Sequence, residues 1–236
     1  MPAIEALLQT SIEAHEAGDL RLAAEGFAAV LAVAPELPDA WYNAGLVAFQ
    51  SGQNDQAIAA LERAAALQPE PEYLTDLAAI YQTIGDDSRA DQLLSTAIAI
   101  DSDYGPAHFH RGVVLSSQNR FDEALLHLHR AIDLDYGVDS SLQQIGLVYD
   151  RAGDSASAIQ AYESALAINP QLTHCLERIS HYSILGTHEL NFESITQVEH
   201  LGTVFAQCPS HRQRGAKLLV AAGLFFEQSE ANETRD

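Results

Sequence analysis

The sequence predicts an all-α protein, a solenoid of helical hairpins stacked one on the next. Three observations predict it. Of the 236 residues, 47% are apolar but only 7% are aromatic, with alanine and leucine abundant, a balance that suits closely packed helices better than sheets. A small residue returns at a nearly fixed period, as Ala23, Ala57, Ala90, Ala124 and Ala158, at intervals of 34, 33, 34 and 34 residues. Five positions before each of these alanines stands a turn former, Gly18, Gly52, Gly85, Asn119 and Gly153. A period of this length is the mark of a repeat architecture, in which each unit buries its apolar face only by stacking on its neighbours.

Within each period the second helix carries a small, large, small face. Its large residues are Phe27, Leu61, Leu94, Leu128 and Tyr162, and its closing small residues are Val30, Ala64, Ala97, Ala131 and Ala165. Residues spaced this way lie along one stripe of a helix and admit close packing against another. The turn formers are the residue types that best tolerate the left-handed conformation at a helix end, so each period reads as helix, turn, helix. Pro35, Pro69, Ser102, Tyr136 and Pro170 close the successive units.

Trp41, Gly45, Ala57, Leu61, Ala64 and Pro69 stand at the spacing of a tetratricopeptide repeat, and residues 38–69 resemble a nearly complete consensus unit. Ala78, Tyr81, Ala90 and Ala97, then Gly112, Ala124 and Ala131, then Gly146, Tyr149, Ala158, Ala165 and Pro170 carry the resemblance through the next three units. It covers residues 4–172 as five repeats. The fourth departs most, with His108 at a large apolar site, Arg111 at an apolar site and Tyr136 in place of the closing proline. The first has Ser11 where glycine or alanine is usual.

Residues 173–228 are expected to form a degenerate repeat and C-terminal capping helices. Residues 173–184 resemble the first helix of a sixth unit, the pattern fails at His188 to Asn191, and Ser210 with Gln213 offers a capping box for a last helix. That helix contains an apolar run, Leu218 to Phe226, which either neighbouring helices enclose or a second protein covers. The polar tail, 229–236, is expected to be disordered.

The resemblance implies a right-handed superhelix whose concave groove, lined by first helices, binds a peptide or helix. It places Gln9, Asp39, Tyr42, Asn43, Leu46, Phe49, Glu72, Asp76, Phe109, His110, Gln144 and Arg151 on the groove wall, with Thr75 among their neighbours. Its first three units hold five carboxylates, Glu5, Glu16, Asp39, Glu72 and Asp76, and no lysine or arginine at groove positions, which favours a basic partner. Tyr42, Phe49 and Phe109 are candidate apolar anchors, and asparagine at the position of Asn43 holds a ligand's backbone in several such families. A clamp for acidic C-terminal tails is disfavoured, because it needs basic residues where Glu5, Asp39, Glu72 and Asp76 stand.

Twelve basic against 33 acidic residues give a net charge of -21, and Lys217 is the only lysine. Nucleic-acid and anionic-membrane partners are therefore not expected. The N-terminus has no basic segment leading into an apolar one, and the longest apolar run is nine residues, so the expectation is a soluble, cytoplasmic protein. Cys175 and Cys208 stand alone and read as reduced thiols. His108 with His110, and His127 with His129, lie two apart on a helix and point in different directions; His174 and His181 lie two turns apart. No metal site, cofactor or catalytic motif is expected. The function expected is a non-catalytic interaction scaffold or adaptor. The alternative is an accessory or substrate-recruiting module of a bacterial glycosyltransferase or sulfotransferase, suggested by a weaker likeness of the C-terminal stretch to segments that join such domains.

Overall fold

Each small, large, small column of the sequence lies at the centre of a helix pair. In the computed structural model, which describes residues 2–184, Ala23, Phe27 and Val30 are fully buried, as are Ala57, Leu61 and Ala64 and the three equivalent sets that follow. Eleven α-helices form among the described residues. The described residues divide after Tyr136 into two compact units.

The first unit holds four hairpins. These are α1 (Pro2–Glu16) with α2 (Leu20–Val33), α3 (Pro38–Gln50) with α4 (Asn54–Leu67), α5 (Pro71–Thr83) with α6 (Asp87–Ile100), and α7 (Gly105–Ser117) with α8 (Phe121–Asp133). The described part of the second unit holds α9 (Val138–Ala152) paired with α10 (Ser155–Ile168), followed by α11 (Thr173–Ile184). The last spans the residues for which a further first helix is expected. The break at His188, the capping box at Ser210, the apolar run Leu218 to Phe226, Cys208 and the tail lie outside the described residues.

All five turn formers adopt the left-handed conformation, Gly18 at φ 78, Gly52 at 75, Gly85 at 83, Asn119 at 61 and Gly153 at 84. The residue after each turn former caps the second helix. Asp19, Asp86 and Asp154 accept hydrogen bonds from the backbone N–H groups of Leu22, Arg89 and Ser157, whereas Gln53 and Arg120 at the same column make no side-chain cap. Loss of such a cap costs about 1 kcal/mol. Asp19→Ala is accordingly expected to lower the stability of the first hairpin by about that amount, read as a shift of the urea midpoint.

Hairpin closure depends on a near-absence of atoms on the first helix. A Cβ at Gly45 would lie 2.8 Å from Leu61 Cγ, one at Gly112 would lie 2.6 Å from Leu128 Cγ, and one at Gly146 would lie 2.4 Å from the Tyr162 ring. The large residues of α4, α8 and α10 thus rest on the backbone of the preceding helix. In the first hairpin Ser11 occupies the small position, and Gly26 of α2 supplies the room, since a Cβ there would overlap Ser11 Oγ at 2.1 Å. The serine hydroxyl donates to the Leu7 carbonyl, which satisfies it within its own helix.

The irregular fourth hairpin is held by polar substitutes. The His108 Nε2–H donates to the Ser102 carbonyl at 3.1 Å, the same six-residue relation in which the Trp41 indole N–H donates to the Pro35 carbonyl at 2.8 Å. Arg111, at a usually apolar site, donates to Asp91 of α6, which Arg120 also engages. Those two guanidinium groups hold the Asp91 carboxyl below the usual carboxylate range against the opposing effect of burial. Tyr136, in the proline's place, sets its ring edge-on to Phe109 at 6.0 Å while Asp135 before it takes φ 56.

Candidate protein-interaction face

The first helices of hairpins two, three and four bring most of the expected groove residues of the first unit together. On α3, Asp39 and Tyr42 are three residues apart and share a face; on α5, Tyr73 and Asp76 do the same. The order is reversed between the two helices, so each phenol meets the other helix's acid. The Tyr42 hydroxyl donates to Asp76 at 2.7 Å, and the Tyr73 hydroxyl donates to Asp39 at 2.5 Å. The two rings stack between these bonds, with centroids 4.5 Å apart and an interplanar angle of 26°. Stacking and both hydrogen bonds fix the side chains without help from a ligand.

Burial, then the hydrogen bond and charge of Asp76, hold the Tyr42 phenol above its ordinary value. Tyr73 is raised likewise, by burial first and by Asp39 second. Tyr104, which precedes α7, is pushed up to about 12 by burial and by the charges of Glu72 and Asp76. The phenols therefore remain neutral donors throughout the physiological range. His110 of α7 is held below its ordinary value by burial, although the charge of Asp76 pulls the other way. Glu72 lies exposed on the same helix as Asp76.

Among the described residues, the acids of this face have no ion-pair partner. Arg21, Arg63, Arg89, Arg111, Arg120, Arg130 and Arg178 are all engaged in ion pairs, and none of those pairs includes Asp39, Glu72 or Asp76. With effective dielectric between that of water and of a dry interior, three carboxylates in this neighbourhood give a local negative potential that none of these seven arginines offsets by an ion pair.

The remaining expected residues are placed as follows. Asn43 spends one of its two amide hydrogens on the Asp39 carbonyl, one turn back on its own helix. Leu46 and Phe49 are half-buried further along α3, and Phe49 packs against the core. Phe109 is half-buried and meets the His110 ring edge-on at 5.4 Å. Gln9 lies exposed on α1 and donates to Glu13. Gln144 and Arg151 belong to α9 of the second unit, half-buried and exposed respectively. Thr75 differs from expectation: it is only 2% exposed, and its hydroxyl has no hydrogen-bond partner among the described residues.

Two tyrosines of this face, Tyr73 and Tyr104, are absent from the sequence-derived wall. The signal for Tyr73 lay in the mirrored spacing of Asp39 with Tyr42 and of Tyr73 with Asp76. The histidine contact that does form was not anticipated: His108 of α7 faces His127 of α8. Among the described residues no group of three or more histidine, cysteine or acidic side chains is placed to hold a metal, and no helix is long and apolar enough to cross a membrane. Cys175 is buried, which pushes its thiol up to about 11.

Models of the tetratricopeptide repeat match residues 38–71 and 139–172. No curated protein matches the chain in sequence. Several solved structures match in fold. PilW, a widely conserved type IV pilus biogenesis factor, has 16% identity and a TM-score of 0.73 over 94% of this chain and 99% of its own. MamA from Desulfovibrio magneticus RS-1 has 15% identity and a TM-score of 0.65, covering 72% of this chain and 96% of its own. YrrB, described as a TPR protein with an unusual peptide-binding site, has 19% identity and a TM-score of 0.62 over 72% and 89%. At these identities the likeness is one of fold, an all-α solenoid of helical hairpins.

Proposed function

The chain is a tetratricopeptide-repeat protein, and on that premise we propose that it is a non-catalytic interaction scaffold whose α3–α5–α7 face takes a basic segment of a partner protein. Proteins of this repeat type typically act as scaffolds rather than enzymes. The observation that carries the reading is the set of Asp39, Glu72 and Asp76, without an ion-pair partner among the described residues, beside a fixed pair of stacked tyrosines. Lysine or arginine side chains of the partner complete these acids, and Phe49 and Phe109 offer apolar contact on either side. Asn43, with an amide hydrogen still to give, suits a hydrogen bond to the partner's backbone. YrrB, named as having a peptide-binding site, supports a peptide as the ligand class. The transferase-accessory alternative drew on the C-terminal stretch and gains no support from this face.

The test uses the full chain and two fluorescent peptide pools of equal length, one rich in lysine and arginine and the other rich in glutamate. Anisotropy is expected to report binding of the basic pool, weakening steeply between low and physiological salt, and none of the acidic pool. Equal binding of both pools, or of neither, removes the reading.

A further inference from the structure

Outside the interaction face, the fourth hairpin holds a pair of histidines in contact across its two helices. His108 Nδ1 and His127 Nδ1 lie 2.9 Å apart, across the α7–α8 packing. The other ring nitrogen of His108, Nε2, faces the Ser102 carbonyl. A carbonyl oxygen only accepts, so Nε2 carries the hydrogen of the neutral His108 ring and Nδ1 is left as an acceptor. His127 must then hold its hydrogen on Nδ1 and donate it. One arrangement of hydrogens satisfies both contacts, and it requires two neutral rings or a charge on His127 alone.

Each added proton meets an obstacle. On His127 it would go to Nε2, leaving the bridge intact but placing an imidazolium in a half-buried site beside Arg111. On His108 it would go to Nδ1, where it displaces the bridging hydrogen bond. The groups facing His108 are Arg111 of α7 and Arg130 of α8, with Asp103 from the preceding loop opposing them. Those facing His127 are Arg111 and His108, opposed by Asp91 of α6 and Glu123 of α8. Both acids are already committed, Asp91 to Arg111 and Arg120, and Glu123 to Arg120.

We propose that the α7–α8 hairpin is a proton-sensitive joint, most stable while both rings of the His108–His127 bridge are neutral and weakened on acidification. Burial, followed by the charge of Arg111, pushes His127 down to about 4, and burial lowers His108 as well. A histidine lowered in the folded state stabilises the fold fully above its unfolded value near 6.5, and that stability is lost as pH falls from there toward the folded value. The window is therefore about pH 6.5 to 4. Because α7 also carries Phe109 and His110, the joint links pH to the interaction face, a consequence that rests on the interaction reading; the joint itself does not.

Long-range ¹H–¹⁵N NMR of the full chain from pH 7.5 to 4.5 tests the joint with no ligand present. The expected result is an Nε2–H tautomer at His108, an Nδ1–H tautomer at His127, and titration of His127 well below 6.5. As a second measurement, urea unfolding is followed at pH 7.5 and 5.0 in the wild type and in His127→Gln. Over that range the wild type is expected to lose about thirtyfold more of its folding equilibrium constant than the variant. Titration of both rings near 6.5, reversed tautomers, or equal pH dependence in the two proteins overturns the proposal.

Discussion

Replacing Asp39, Glu72 and Asp76 together with Asn, Gln and Asn is expected to weaken binding of a basic peptide about tenfold to a hundredfold. Each substitution removes one charge while keeping an oxygen where the carboxylate had one. Tyr42 and Tyr73 therefore retain hydrogen-bond acceptors on the opposite helix, and the stacked pair persists. Exposed ion pairs contribute little individually, up to about 1 kcal/mol, so the effect comes from three acids acting on one ligand. The salt dependence of binding should fall in the same variant, because fewer charge pairs are left to screen. Unchanged affinity together with an unchanged salt slope would mean that the acids are merely solvated surface.

Gly112→Val is expected to destabilise the first unit by about 3 kcal/mol, the upper part of the range for overpacked cores. The new Cβ would sit 2.6 Å and 2.9 Å from two atoms of the buried Leu128 and 3.1 Å from the Ala124 carbonyl oxygen, so both a side chain and a backbone must give way. Gly85→Ala makes the contrast. Beyond its chain neighbours, no atom of the described residues lies within 4 Å of its added Cβ, and the cost is the left-handed backbone at φ 83, about 1–2 kcal/mol. Gly85→Asn should cost less than Gly85→Ala, since Asn119 already holds this conformation in the fourth hairpin. Urea denaturation of the four proteins at one pH decides it. In a Leu128→Ala background the additional cost of Gly112→Val should shrink, because the side chain it strikes is gone. Equal costs in both backgrounds would contradict the packing described.

How much of this was legible in the sequence follows from the range of each interaction. The columns Ala57, Leu61 and Ala64, with their equivalents, repeat five times, so a local pattern and its period were enough to identify the buried stripe and the hairpins. The turn at Asn119 was legible for the same reason: only a residue tolerant of positive φ serves at that column. The expected wall named Asp39, Tyr42 and Asp76, which the structure brings close together, but it treated the acids as independent charges. Their pairing with Tyr73 and Tyr42 depends on two adjacent helices presenting the same two residue types in opposite order, which inspection of each helix alone does not reveal. The His108–His127 bridge escaped for a similar reason. Neighbours two apart on a helix diverge, whereas residues 19 apart meet across the hairpin. Thr75 was misjudged because a groove column does not fix depth, and a short side chain between bulkier neighbours is covered by them. Gly26 is a further case, a small residue on the second helix that compensates for Ser11 on the first.

The most direct test of the central claim is an NMR chemical-shift map of the full chain titrated with a lysine- and arginine-rich peptide. The account predicts that the largest changes fall on the first helices of the first unit, at Asp39, Tyr42, Asn43, Tyr73, Asp76 and His110, and that the Tyr42 and Tyr73 ring signals move together. Changes concentrated on the second helices α2, α4, α6 and α8, with the tyrosine rings unmoved, would contradict it.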